Sequence, residues 1–490
     1  MNKIGFDNEK YLAEQSEYIR QRAAKYGKLY LEFGGKLMND FHAARCLPGY
    51  DPNVKLRLLQ SLKDQAEIIL CIFSGDIERR KMRADFGISY DADAMKLIDD
   101  LTALGLKVAG VVITRYQDQP GVKAFRNKLE SRGVKVYLHY KTDGYPANVE
   151  KIVSEQGYGK NEYVKTEKPI VVVNAPGPGS GKFATCLTQI YHEYRQGRMA
   201  GYSKFESFPV WNLPLKHPLN IAYEAATIDL WDVNLIDPYH KAAYGVETVN
   251  YNRDVDAYPL LKAIWERMTG GECPYKSPTD MGVNRIGFGI VDDEVVQYAS
   301  KQEVIRRYYA ALERLADGRS DESEVAKIAL LFKQLGINTA YRKCTVAARE
   351  RMEQTLGKPA AAIELADGTI VTAKSSPLLG PSAALLLNAM KHLAGIDHSL
   401  RLIPEEMVRP IQHTKTTYLK ARNPRLHTDE VLVALSVLSQ HDDNCRRAIE
   451  CLPLLEGCQV HSTVMLSEVD KKIFRKLGIG LTCDPVRKKL

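Results

Sequence analysis

The 490-residue chain contains no run of eighteen apolar residues, so no segment has the length and hydropathy of a membrane-spanning helix. Its opening, Met1-Asn-Lys-Ile-Gly-Phe6, lacks the apolar core of a signal peptide, and the expectation is a cytoplasmic protein with no membrane partner. Nine cysteines are scattered without a Cys-x-x-Cys pair, Cys445, Cys451 and Cys458 being the nearest to a cluster. That scatter argues against a disulfide framework and against zinc, and most of the thiols are expected to be buried and inert. Internal repeats and low-complexity tracts are missing too. So is a basic stripe interleaved with aromatics, which argues against a nucleic-acid partner. The net charge of +8, from 68 basic and 60 acidic residues, is spread along the chain and favours anionic ligands only weakly.

What is present is length and pattern. A chain of 490 residues exceeds what one core usually serves, so two or three domains are expected. Over residues 1–200, apolar runs of strand length alternate with helix-period segments, as in a parallel sheet covered by helices. Five strands are predicted: Leu29 to Phe33, Glu67 to Phe73, Val108 to Thr114, Val134 to Tyr140 and Ile170 to Asn174. Helices near Tyr90 to Leu104, Val122 to Arg132 and Asn148 to Glu155 fall between them, with Gly105 and Gly133 at expected helix ends. The fold class is therefore α/β, with a Rossmann-like, mostly parallel N-terminal sheet. Residues 201–335 show little strand pattern and read as loops with a largely helical insertion. Beyond a boundary near Gly336 to Ala340, residues 336–490 show a second, smaller α/β pattern, including a hairpin from Ala360 to Ala373 that turns at Asp367-Gly368.

The most informative segment is Ile170-Val-Val-Val-Asn-Ala-Pro-Gly-Pro-Gly-Ser-Gly-Lys182. A buried strand runs into a glycine-rich turn, and Phe183 to Tyr194 reads as a helix. Gly177, Gly179, Ser180 and Gly181 can bring consecutive N–H groups onto an anion, with the helix N-terminus and Lys182 adding positive charge. The P-loop pattern is met incompletely. Pro176 stands where its first glycine belongs, and Phe183 replaces the Ser or Thr that would hold magnesium. Thr185, about 200° further round the helix, points elsewhere. The turn also follows the fifth strand rather than the first, and no Walker B strand stands out, although Asp237 ends a weakly apolar segment. A purely structural turn is the competing reading.

Other segments concentrate polar chemistry. After the first strand, Gly34, Gly35 and Lys36 precede Asp40, His42 and Arg45. The glycines allow close backbone approach, Lys36 and Arg45 suit phosphate, and Asp40 or His42 can move a proton; a surface turn with a capping aspartate is the alternative. In open sheets ligands sit beyond the carboxyl ends of strands, so Gly34-Gly35, Asp76 and the 176–182 turn are expected to share a crevice. His217, Asn220 and Glu224 share one face of a helix expected from His217 to Leu230, suited to acid–base work or a metal, or simply facing water. With Asp229, Asp232, Asp237, His240, Asn252, Arg253 and Asp254 nearby, oxygen-rich ligation of magnesium or manganese fits better than zinc. In the last third, Thr372 to Ala384 and Asn423-Pro-Arg-Leu-His427 read as turns and helix caps, or as a second anion site.

Taken together, Leu29-Tyr-Leu-Glu-Phe-Gly-Gly-Lys36, Ala175 to Lys182, Phe208-Pro-Val-Trp-Asn-Leu-Pro214, Val249-Asn-Tyr-Asn-Arg-Asp254 and Asn423 to His427 make a recognisable set. On them the chain resembles, over nearly its whole length, the bacterial family catalogued as domain of unknown function 1846. The resemblance implies an N-terminal family domain of about two thirds of the chain and a separate C-terminal one, and it brings no catalytic residues with it.

The functional expectation from the residues is an enzyme that binds ATP, another nucleotide or a small phosphorylated metabolite and performs phosphoryl transfer or hydrolysis. Lys182 and the glycine-rich turn would hold the phosphate. His217, Glu224, Asp40 and His42 are the candidates for proton transfer or metal contact. The alternative is a non-catalytic sensor or scaffold for a phosphorylated effector, and a homo-oligomer is compatible with either.

Overall fold

The computed structural model describes residues 3–35, 37–82, 87–228 and 231–487. Two compact units emerge. One comprises Ile4–Glu224 with Asp232–Val296, the other Gln297–Leu490 with Ala225–Trp231 and the first three residues. The division falls inside the helix Asp293–Ala316.

The larger unit is built on a six-stranded sheet. Its strands are β1 (Leu29–Phe33), β2 (Ala66–Phe73), β3 (Lys107–Thr114), β4 (Val136–Leu138), β5 (Ile170–Asn174) and β6 (Gly201–Phe205), in the order β4-β3-β2-β5-β1-β6. Every pairing is parallel. β5 lies between β1 and β2 and is buried along its whole length, which is why it reads as an uninterrupted Ile-Val-Val-Val run. The α/β class and the parallel N-terminal sheet are as expected, with two corrections. β4 covers three residues rather than seven, as suits a half-exposed edge strand. β6 was not anticipated: Gly-Tyr-Ser-Lys-Phe has no apolar run, and it becomes a strand because β1 offers it a register from Leu29↔Gly201 to Phe33↔Phe205. The rest of the 201–290 region holds helices and a two-stranded antiparallel ribbon, β7 (Asn234–Ile236) with β8 (Val249–Tyr251).

Chain direction across the sheet reverses after β4. β1 to β4 progress towards one edge; the chain then returns to place β5 between β2 and β1 and ends at β6 on the other edge. Right-handed crossovers put the helix after β5 on the face opposite those after β2 and β3. The carboxyl end of β5 is therefore a switch point, the place where such sheets open a crevice.

The smaller unit carries a four-stranded sheet, β10-β9-β11-β12, from β9 (Ala360–Glu364), β10 (Ile370–Lys374), β11 (Gln459–Ser462) and β12 (Gly480–Cys483). β9 and β10 form the expected hairpin, with Gly368 at φ 86° and the Asp367 side chain accepting from the Thr369 amide at 2.9 Å. The helices Pro381–Leu393 and Thr428–Leu438 supply much of its core through Leu385, Leu386, Met390, Val431 and Leu435. The helix Glu405–His413, with the π-helical turn Thr414–Tyr418 after it, had no counterpart in the sequence reading. All nine cysteines are free thiols, and eight are buried. Among the described residues, no helix is long and apolar enough to cross a membrane.

Candidate anion-binding site

The turn after β5 sits at the middle of the sheet's carboxyl edge. Side chains occupy three of its carbonyls. Ser180 Oγ donates to the carbonyl of Gly177 at 2.6 Å, Thr114 Oγ1 to that of Ser180 at 2.8 Å, and the Arg115 guanidinium to that of Gly179. No described residue accepts a hydrogen bond from the N–H of Gly177, Gly179, Ser180, Gly181 or Lys182. The helix Lys182–Arg195 starts here, its first bond running from the Thr185 amide to the Gly181 carbonyl at 3.0 Å. Ser180 is buried, Gly177, Gly181 and Lys182 are half-buried and Gly179 is exposed, and a run of backbone donors without a protein acceptor beside a helix N-terminus favours an anion.

Two glycines are required by geometry. At Gly177 a Cβ would lie 2.2 Å from the Tyr90 ring. Gly181 is left-handed at φ 85°, and its Cβ would meet Thr114 at 2.9 Å. Lys182 forms no ion pair with any described carboxylate. Its charge is felt by Glu32 on β1, whose carboxyl is raised by burial against the opposing pull of Lys182 and Lys204 and receives a hydrogen bond from Tyr202 at 2.7 Å.

Beside Glu32, at the ends of β1 and β6, lies a network of opposed charges. Lys204 contacts Asp254 at 2.6 Å and Glu206 at 3.3 Å; Arg253 reaches Asp232 at 3.3 Å and Glu206 at 3.4 Å. Burial would lower Lys204, but Asp254 and Glu206 outweigh it and hold the ammonium charged. Across the turn, Arg115 stacks on Phe73 with its guanidinium carbon 3.6 Å from the ring centroid, and the buried Asp76 binds Arg79 at 3.1 Å.

Two family models cover nearly all of the chain: "Domain of unknown function DUF1846, N-terminal" over residues 4–336 and "Domain of unknown function DUF1846, C-terminal" over 340–490. The chain belongs to this family. It is 54% identical over 490 residues to a UPF0371 protein of Clostridium tetani (strain Massachusetts / E88), covering 99% of this chain and 98% of that relative. A UPF0371 protein of Clostridium botulinum (strain Langeland / NCTC 10281 / Type F) matches with the same figures.

The other residues singled out from this family member's sequence fall into different settings. Gly34 and Gly35 follow β1, next to β5, and the Gly34 amide donates to the Phe205 carbonyl at 2.7 Å. Lys36 lies outside the described residues. Asp40 caps the helix Phe41–Cys46 and pairs with the buried Lys55 at 2.8 Å; burial would raise its carboxyl, but Lys55 outweighs this and lowers it, so it stays ionised. His42 meets the Tyr223 ring edge-on at 4.4 Å.

Asn220 and Glu224 share the helix Pro218–Ala226, which His217 immediately precedes, its carbonyl accepting from the Ile221 amide at 3.1 Å, but each of the three is engaged in building the fold. His217 Nδ1 accepts from the Leu219 amide at 3.2 Å, and its Nε2 lies 3.0 Å from Asp293. Asn220 stitches the 208–214 loop through the Val210 amide and the Val210 and Pro214 carbonyls. Glu224 accepts from the Asn234 amide at 3.3 Å, and burial raises its carboxyl. Asp237, which follows β7 outside the six-stranded sheet, caps the helix Pro238–Tyr244. Asp229 lies outside the described residues.

Among the described residues, no group of three or more His, Cys, Asp or Glu is arranged to hold a metal ion. Magnesium or manganese does not fit the turn itself, because Phe183 offers no oxygen and the Thr185 hydroxyl is buried against Cys71 Sγ at 3.4 Å. Sequence reasoning passed over Thr114, Arg115, Lys204 and Glu206. A signal for them existed: all four stand at or just beyond the carboxyl end of a strand in the same sheet as β5.

Proposed function

We propose that the chain binds a nucleotide or small phosphorylated metabolite at the 175–182 turn and handles its phosphoryl group by transfer or hydrolysis. The observation that carries this reading is a one-sided hydrogen-bond balance: side chains hold the carbonyls of Gly177, Gly179 and Ser180, while the neighbouring amides, with Lys182 beside them, have no acceptor among the described residues. An oxyanion supplies the acceptors those donors lack, and Lys182 neutralises charge on its oxygens. Glu32, with its carboxyl raised and coupled to Lys182, is the acid–base group this arrangement favours. Of the groups considered from sequence, Glu224 shares the raised carboxyl, whereas Asp40 is held ionised by Lys55.

A second reading, binding without chemistry, draws on the replacement of the metal-holding hydroxyl by Phe183. Both are tested by thermal melting of wild type and Lys182→Ala with inorganic phosphate, ATP, other nucleotides and sugar phosphates, with and without magnesium or manganese. A ligand at one hundred times its Kd should add about 2.7 kcal/mol of stability to wild type, and Lys182→Ala should lose most of it. Absence of any response in wild type would end the phosphate reading. A ligand that binds and is never turned over leaves the sensor.

A further inference from the structure

We infer that Thr114 and Arg115, the consecutive residues where β3 ends, are positioning residues that aim the turn's amides at an oxyanion; this rests on the phosphate reading above. In a trans peptide the C=O and the following N–H point in opposite directions within one plane. Thr114 Oγ1 holds the carbonyl of Ser180, so the N–H of Gly181 faces away from β3. The Arg115 guanidinium holds the carbonyl of Gly179, so the N–H of Ser180 faces away as well. One strand tip thus orients two successive donors, neither of which has a protein acceptor. A bond to the carbonyl also polarises its peptide and makes the N–H a stronger donor, more so when the group giving it is charged.

Three features suit Arg115 to this task. Its guanidinium stacks on Phe73, which limits where it can point. Its backbone is left-handed at φ 51°, a conformation that costs a non-glycine residue energy, and Ser74 Oγ secures its carbonyl at 2.8 Å. No described carboxylate lies within ion-pair distance of it, although the charge of Asp76 reaches it, so a positive group is directed at a carbonyl and, through that peptide, at whatever the amide binds. Thr114 reaches its carbonyl because residue 181 lacks a Cβ, which would stand 2.9 Å from the threonine side chain. An ordinary stitch between β3 and the turn would use the same bonds, but it would not require the anion's affinity to follow them.

The test uses the full-length chain and two probes, inorganic phosphate and pyrophosphate, with Kd measured well below the melting temperature so that a lowered melt does not enter the result. Thr114→Val keeps the shape and removes the donor; Thr114→Ser restores the hydroxyl. Arg115→Ala removes the charge; Arg115→Lys returns one. Kd should rise about tenfold in Thr114→Val and in Arg115→Ala and recover, wholly or in part, in the Ser and Lys variants. In a ¹⁵N-glycine-labelled sample, assigned with Gly181→Ala, the Gly181 amide proton should move upfield in Thr114→Val before any anion is added. Kd values within twofold of wild type in both Thr114→Val and Arg115→Ala overturn the inference and leave the phosphate reading standing. If wild type binds neither probe, this inference falls, and the phosphate reading falls with it only if the nucleotides and sugar phosphates fail as well.

Discussion

At the carboxyl edge of β5, side chains hold the carbonyls of Gly177, Gly179 and Ser180 and leave the neighbouring amides without acceptors. In the smaller unit the polar groups are turned on each other instead. Arg342, completely buried, donates to Gln302 at 3.2 Å, to Gln459 at 2.6 Å, to the Val460 carbonyl at 3.1 Å and to the Gly480 carbonyl. Nearby on β11, His461 Nδ1 bonds Thr482 at 2.9 Å, and its Nε2 lies 3.5 Å from Asp484, which Arg349 also grips at 2.6 Å. Both regions contain buried or half-buried polar chemistry at strand ends. In one it mostly joins strands, although Arg342 Nε and His461 Nε2 keep no hydrogen-bond partner among the described residues; in the other a run of successive backbone donors has no protein acceptor there. A run of successive backbone donors at a helix N-terminus marks a place for a ligand, whereas a dense cluster of side chains bonded mostly to one another marks architecture.

Breaking the paired side should give the largest effect. Arg342→Met leaves the Gln302, Gln459 and Gly480 oxygens without this donor and the Val460 carbonyl to the Thr482 hydroxyl, and should cost about 3–5 kcal/mol, read from denaturant midpoints. Ligand response at the 175–182 turn is expected to survive wherever the protein remains folded. A loss of phosphate binding that tracked Arg342 instead of Lys182 would break the contrast.

Within the turn, the two left-handed glycines should separate. Gly179, at φ 68° with open space around its Cβ position, should tolerate alanine for about 1–2 kcal/mol of backbone strain. Gly181→Ala adds a clash with Thr114 to the same strain and should cost more, with phosphate binding lost. Equal melting temperatures for the two variants would show that the packing against Thr114 is soft.

The paired cluster should also carry a pH signature. Burial lowers the His461 imidazole, so the folded state keeps it neutral while the unfolded chain takes up a proton below about pH 6.5. For Asp484, burial acts to raise the carboxyl, but His461 and Arg349 outweigh it and hold it at about 2. Its contribution is complete above the unfolded value near 4 and fades as pH falls towards 2. Both effects weaken the fold on acidification. The stability of wild type minus that of His461→Gln should therefore decline from pH 7 to pH 5, and a flat difference would place the cluster outside this account.

The smallest effect belongs to Lys182→Ala without ligand. Since no ion pair is lost, the unliganded melt should move by less than about 0.5 kcal/mol. A larger drop would mean that Lys182 serves the fold and would blur the distinction between the two regions.

Much of this was legible in the chain. β1, β2, β3 and β5 are apolar runs of strand length, and their helix-separated spacing requires parallel pairing, so the sheet was readable without coordinates. The turn from Ala175 to Lys182 was readable for the same reason: glycine spacing after a buried strand is a local property. β6 was not, because Gly-Tyr-Ser-Lys-Phe becomes a strand only when β1 presents an unpaired edge. His217 and Asn220 looked like a reactive face because helical spacing shows which residues align, and says nothing of the loop that takes up their hydrogen bonds.

The order of elements and the residue types around the turn come from the linear chain, since strand length, helix period and glycine placement are decided by neighbours within a few positions. Tertiary structure alone decided that β5 is threaded between β1 and β2, and that Thr114 and Arg115, more than sixty residues away in the chain, reach the carbonyls of Ser180 and Gly179. A hydrogen bond across such a separation depends on where the sheet brings its strand ends, and no local pattern encodes that.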